Sequence, residues 1–255
     1  MEESFKKEQR SKPVLIIGRQ PIVEAIEAGR PIEKILFQRN VSGDSIGKIR
    51  ELGKKFNIPI QQVPPEKLNG LTRGNHQGCI AIAGLVQYMD LQQVIDHVNA
   101  SGESPLFIML DGITDVRNIG AIARTAVCCG AQAIIIPDKG TASLNEEAMK
   151  TSAGALEKIH VCRVSSLLKA VDELHLNGIA VFTTGMNETQ PVYELNYKDP
   201  CCIIMGNEEK GVQVYLEKAA DKRLTIPMVG KFDSLNVSVA TAIILYEAMK
   251  QRMQN

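Results

Sequence analysis

The chain has 255 residues, 44% of them apolar and 23% charged, with 29 Lys and Arg balanced by 29 Asp and Glu. That length suits one large domain or two ordinary ones, and the composition supplies a core and excludes wholesale disorder. No apolar run reaches the roughly 18–20 residues that cross a bilayer, so no membrane partner is expected.

The opening MEESFKKEQRSKP is charged throughout and lacks an apolar h-region. It reads as a flexible arm over residues 1–13 and not as a secretory signal. Val14–Ile17 and Lys34–Phe37 read as strands, with a helix between them from about Pro21 to Ala28 that Gly29 stops. Ser45–Phe56 reads as a second helix. Ile60–Val63, a short helix after Pro64-Pro65, and Cys79–Val86 complete a small α/β unit over 14–86. Asp90–Asn99 looks helical, and Ala100–Pro105 has linker composition, so 87–105 is taken as a linker with a short helix.

From Leu106 a strand–loop–helix pattern repeats. Leu106–Leu110, Ala133–Ile136, Ile179–Thr183, Cys201–Met205 and Leu224–Ile226 read as strands. Helices are expected at Ile119–Cys129, after a capping box at Ser143–Glu146, and at Ser166–Leu176, Val212–Ala220 and about Asn236–Met253. Buried strands alternating with helices indicate a parallel sheet with helices on both faces. In such sheets ligands sit at the carboxyl ends of the strands.

Residues 1–86 carry 14 Lys and Arg against 9 Asp and Glu, whereas 87–255 carry 15 against 20. A chance fluctuation and a basic module that meets a polyanion account for this equally well. The six cysteines (Cys79, Cys128, Cys129, Cys162, Cys201, Cys202) form no Cys-x-x-Cys. A reduced, cytoplasmic protein without a zinc or other metal site is therefore expected.

Three loops at strand ends can carry chemistry. The first is Asp111–Asn118, followed by a helix whose apolar face is Ile119, Ile122, Ala123, Ala126 and Val127. Arg124 lies off that face and can lean back over Gly120 toward Asn118. It suits a phosphate or a developing oxyanion, or equally a surface ion pair. The second, Met205–Gly211, presents Glu208 after a buried strand, or is an ordinary polar turn. Neither a Gly-x-Gly-x-x-Gly fingerprint nor a Gly-x-x-x-x-Gly-Lys-Ser/Thr loop is present, which weakens an oxidoreductase or nucleotide-triphosphate reading. The third, Ile226–Asn236, runs into a helix so apolar that it must be buried in the core or against another subunit. Ser234 or Asn236 could simply cap that helix.

The order and spacing of the three loops are more specific than any one of them. Asn118 with Arg124, Gly206-x-Glu208-x-x-Gly211, and Ile226-Pro-Met with Ser234-Leu-Asn236-Val-Ser-Val-Ala resemble the three motifs of the SpoU/TrmH family, RNA ribose 2′-O-methyltransferases of the SPOUT class. The likeness covers residues 106–255. Gly18-Arg19-Gln20-Pro21-Ile22-Val23-Glu24-Ala25 and Asn75-His76-Gln77-Gly78 are similar to the family's RNA-binding domain, itself similar to ribosomal protein L30e. Together they are nearest the branch that methylates a guanosine in 23S rRNA.

The resemblance implies a deep trefoil knot in the C-terminal domain, S-adenosyl-L-methionine as methyl donor, and a homodimer with composite sites. By motif, Asn118, Arg124, Glu208, Ser234 and Asn236 would form the catalytic set, and Gly185, Gly206, Ile226, Met228 and Leu235 would contact the donor. Arg19, Arg73 and His76 would meet RNA, with His76 serving equally well as a turn residue, and Arg117 would add a phosphate contact. One departure stands out: where the family often has proline after the first-motif aspartate, this chain has Asp115-Val116-Arg117-Asn118. The implied partner is 23S rRNA or an assembling large ribosomal subunit. The alternatives are the same reaction on tRNA and a catalytically silent ribosome-assembly factor.

Overall fold

The computed structural model describes residues 14–142, 144–185, 190–207, 209–230 and 234–254. The chain divides into two units, one of residues up to Gly84 apart from Lys54–Asn57, the other of Lys54–Asn57 and Leu85–Asn255. In the first unit β1 (Leu15–Ile17), α1 (Arg19–Glu27), β2 (Ile32–Gln38), α2 (Asp44–Lys55), β3 (Ile60–Val63), α3 (Pro65–Leu71) and β4 (Cys79–Ala83) follow one another. The sheet order is β1-β4-β2-β3, with β4 antiparallel to β1 and β2, and β3 parallel to β2. Alternation along β2 sends Ile35 and Phe37 into one core with Ile22 and Ile26 of α1, and Leu36 into another with Leu68 of α3. Helix α1 begins two residues earlier than expected because Pro21 is tolerated in the first turn, where N–H groups lack helical partners.

The second unit holds β5 (Tyr88–Met89), α4 (Leu91–Ala100), β6 (Leu106–Leu110), α5 (Val116–Cys128), β7 (Ala133–Pro137), α6 (Glu146–Thr151) and β8 (His160–Val164). It continues with α7 (Leu167–Leu176), β9 (Ala180–Thr184), β10 (Gln190–Pro191), β11 (Cys201–Met205), α8 (Val214–Ala219), β12 (Lys222–Thr225) and α9 (Val237–Met253). The strands run in the order β10-β12-β9-β11-β6-β7-β8-β5, with every described pairing parallel. Leu106, Ile108 and Leu110 pack with α5 and α9 on one face, while Phe107 and Met109 pack with α4 and α7 on the other.

Several boundaries differ from the sequence expectation. The segment taken as a linker with a short helix does hold that helix, α4, but it also holds β5, and Leu91, Val94, Ile95 and Val98 of α4 are buried in the second core. Strand β8 was not expected, because His160 and Arg163 interrupt its apolar pattern. Arg163 is only 5% exposed, its guanidinium stacked over the Tyr88 ring. The capping-box expectation fails at α6: Asn145 is the N-cap, its Oδ1 accepting from the N–H groups of Glu147 and Ala148, and Ser143 lies outside the described residues. Helix α9 is apolar nearly all round but buried on one side only. Val237, Ile244, Leu245 and Ala248 face the core, while Val239, Ile243 and Tyr246 are exposed. No helix among the described residues is long and apolar enough to cross a membrane.

Candidate active site

Strand β11 lies between β6 and β9, out of chain order, and this arrangement opens a crevice at the carboxyl ends of the strands. The turn after β11 is unusually tight. A Cβ on Gly206 would overlap the backbone of Gly211 and Val212, so only glycine fits there. Asn207 and Gly211 exchange backbone hydrogen bonds of 3.1 and 2.8 Å, closing the loop, and Gly211 takes the left-handed φ of 68°. Asn207 Oδ1 accepts from the Glu209 N–H at 2.8 Å, and its Nδ2 donates to the Gly112 carbonyl at 3.0 Å. Asp111, 2% exposed, accepts from the Gln213 N–H at 2.7 Å and from its side-chain amide at 2.5 Å. These bonds tie the second loop to the first. Asn207, Asp111 and Gln213 were not singled out by sequence reasoning, although Asp111 stands directly after an uninterrupted buried strand.

A cavity of about 460 Å³ opens at the ends of β9, β11 and β12. Gly185, Gly206, Ile226, Met228 and Leu235 all line it, together with Ser234. Leu224 and Val237 add apolar wall, and Glu209 and Lys210 add charge at the same cavity. Among the described residues no group of three His, Cys, Asp or Glu could hold a metal ion.

Of the remaining expected catalytic residues, Asn236 stands between the lining residues Leu235 and Val237, and Asn118 is bonded to it. Asn236 caps α9, its Oδ1 accepting from the Ser238 N–H at 2.9 Å, and its Nδ2 donates to Asn118 Oδ1 at 3.1 Å. That bond joins the third loop to the first across 118 positions of sequence. Arg124 is exposed, lies outside the cavity lining, and makes no hydrogen bond or ion pair among the described residues. Gly120, one turn before Arg124, lies against α6. A Cβ there would come within 2.7 Å of the Ala148 carbonyl and 2.8 Å of Thr151, so the glycine serves the packing of α5 on α6. Glu208 lies outside the described residues.

Arg117 is committed locally. Its Nε and Nη2 donate to Asp115 at 3.3 and 3.2 Å, and these bonds hold the Asp115 carboxyl below the usual carboxylate range. Asp115 is also the N-cap of α5, accepting from the Arg117 N–H at 2.8 Å. Helix α5 thus starts at Val116, and Asn118 sits in its first turn and not in the preceding loop.

In the first unit, Arg19 Nε donates to the Gln77 carbonyl at 3.1 Å. His76 Nδ1 accepts from the Gly78 N–H at 3.1 Å, so the ring proton sits on Nε2 and points to Asn69 Oδ1 at 2.9 Å. One ring nitrogen therefore serves the turn and the other ties it to α3. Arg73 is exposed with no partner among the described residues. All six cysteines are free, and burial pushes Cys79 and Cys201 up to about 11 and Cys162 to about 12, the behaviour of inert thiols.

Comparison with known proteins gives the family. The model of the SpoU rRNA Methylase family matches residues 105–246, and that of the RNA 2'-O ribose methyltransferase substrate binding domain matches residues 15–89. A protein of Staphylococcus aureus (strain MSSA476) named as a TrmH family tRNA/rRNA methyltransferase is 35% identical over 238 residues, covering 93% of this chain and 96% of that protein. YacO of Bacillus subtilis (strain 168), named likewise, is 32% identical over 237 residues, 93% of this chain and 95% of its own. Among solved structures, the SpoU methyltransferase AviRb from Streptomyces viridochromogenes, in complex with the cofactor AdoMet, is similar with a TM-score of 0.62 and 26% identity. That likeness covers 96% of this chain and 93% of AviRb. The chain belongs to the SpoU/TrmH family of RNA methyltransferases.

Proposed function

We propose that this protein transfers a methyl group from S-adenosyl-L-methionine to the ribose 2′-hydroxyl of a guanosine in 23S rRNA, on free RNA or on an assembling large subunit in the cytoplasm. The observation that carries the reading is the cavity lined by Gly185, Gly206, Ile226, Met228 and Leu235, with Ser234 beside them. Its volume of about 460 Å³ suits a ligand of the donor's size. Leu224, Ile226 and Val237 offer apolar wall to an adenosyl group, while Lys210 and Glu209 offer partners for a carboxylate and an ammonium. When bound, the donor supplies a methyl made electrophilic by its sulfonium.

The chain's own residues act on the nucleophile. A ribose hydroxyl attacks only when its developing charge is stabilised. Arg124, permanently protonated, is a fixed cation and not a base, so it holds the target phosphate and stabilises the nascent alkoxide. Asn118, braced by Asn236, orients the ribose, and the proton passes to Glu208, to the target phosphate or to water. Because Arg124 stands outside its own chain's donor cavity, we assign it to a composite site in a homodimer. The exposed Val239, Ile243 and Tyr246 face of α9 supports that pairing. Residues 14–86 form the RNA-binding domain, read as similar to ribosomal protein L30e, and residues 106–255 the catalytic domain. The insertion of β11 between β6 and β9 supports the expected trefoil knot.

Arg124→Ala is expected to lower turnover by roughly a hundredfold or more while leaving donor affinity unchanged. Equilibrium dialysis of S-adenosylmethionine beside a single-turnover assay checks this. A parallel loss of both would remove Arg124 from its role.

A further inference from the structure

The donor cavity does not exhaust the open space along this edge of the sheet. A second cavity of about 460 Å³ opens at the ends of β6, β7 and β8. Asp138 and Lys139 after β7, Ser165 and Ser166 after β8, and Gln213 and Tyr215 before and within α8 line it. A shallow groove connects the two: Lys210 and Val212 line it together with the donor cavity, and Gln213 and Tyr215 line it together with the second. The shared segment is anchored by the two hydrogen bonds from Gln213 to buried Asp111, so the wall between the cavities is a fixed surface.

The side chains facing this second cavity suit a nucleotide. Tyr215 is 44% exposed, a large aromatic ring beside the exposed Val214. Partial burial and the Asp111 charge raise its phenol above the ordinary range, which keeps the ring neutral. The side chains of Asp138 and Lys139 at this cavity, and of Lys218 on the adjoining groove, make no ion pair or hydrogen bond among the described residues. A ring face stacks on any base, an ionised carboxylate accepts only from amino or imino hydrogens on a base edge, and lysines meet phosphates. An acidic peptide would use the lysines but would be repelled by Asp138.

We propose that this cavity holds the base of a nucleotide adjoining the methylated one, stacked on Tyr215 and read at its amino edge by Asp138. The proposal rests on the reading of the neighbouring site as an RNA ribose methyltransferase. Lys139 and Lys218 contact the phosphates on either side. Uracil, which has no amino group and whose one imino hydrogen lies between two carbonyl oxygens that a carboxylate repels, is disfavoured at this position.

The test uses the full chain with in vitro transcribed 23S rRNA and unmodified tRNA. Tyr215→Ala is expected to raise KM for the methylated RNA at least roughly fivefold with kcat and donor affinity unchanged. Tyr215→Phe, which keeps the ring, is expected to behave as wild type. Asp138→Asn is expected to relax the preference against uracil at positions flanking the modified nucleotide. An unchanged KM in Tyr215→Ala would overturn the proposal, as would a shift in its oligomeric state, which would mean that the ring packs against a second copy. A wild-type protein that methylates neither RNA, nor rRNA within immature ribosomal particles, and binds no S-adenosylmethionine would bring down the functional reading and this proposal together. An active wild type with an indifferent Tyr215→Ala brings down the proposal alone.

Discussion

At the scale of single residues, the first motif shows how the chain compensates for a missing proline. Val116 occupies the first position of α5, where proline is favoured because its absent N–H has no helical partner. Here Asp115 and Arg117 restrain the turn by a cap and a bidentate pair. The lowered pKa of Asp115 means that its stabilising contribution is present above its unfolded value and is lost as pH falls through the folded one. Val116→Pro should therefore be tolerated, raising stability by about 0.4–1 kcal/mol with activity retained. Thermal unfolding beside a methyl-transfer assay checks it, and a lower Tm would show that the N–H of Val116 has a partner in the folded state. The donor-lining residues were legible only through the family likeness, since nothing in spacing alone joins Gly185 to Leu235. The bond between Asn118 and Asn236 was not legible at all, because it depends on two loops meeting in space. The packing role of Gly120 was not legible either: its glycine answers to the neighbouring helix α6, which periodicity within α5 does not reveal.

Among the elements, legibility followed the simplicity of the pattern. Strands β6 and β11 have the bounds expected, being uninterrupted apolar runs buried on both faces. Strand β8 was hidden by a buried arginine, and β5 and β10, of two residues each, are too short to leave a pattern. The position of α9 was clear from its apolarity, but what anchors its end was not. Arg252 donates to the carbonyls of Tyr197, Ser104 and Pro105 at 2.7, 2.5 and 2.8 Å, pinning the helix to the amino end of the sheet. A fixed cation shared among carbonyls at a helix C-terminus satisfies groups that otherwise lose hydration. Arg252→Ala should cost about 2–4 kcal/mol, each charged hydrogen bond contributing roughly 1.5 kcal/mol or more. Urea unfolding measures this, and a loss below about 0.5 kcal/mol, the range of ordinary surface substitutions, would show the anchor to be incidental.

For the molecule as a whole, the proposed composite site makes a prediction that no single chain can satisfy. If Arg124 acts on substrate bound at another protomer's donor cavity, two inactive variants should complement one another. Arg124→Ala mixed and refolded with Leu235→Glu should regain activity that neither shows alone, because one of the mixed dimer's two sites is intact. Inactivity of the mixed dimer would place Arg124 and the donor within one chain. The half-covered α9 gives such a dimer its apolar surface.

The most direct measurement is transfer of radiolabelled methyl from S-adenosylmethionine to unmodified total RNA, followed by fractionation and ribose analysis. The account predicts label on a 2′-O-methylguanosine of large-subunit rRNA. Label on tRNA alone would contradict the substrate, and no label on naked RNA or immature ribosomal particles, with no donor binding, would contradict the catalytic reading itself.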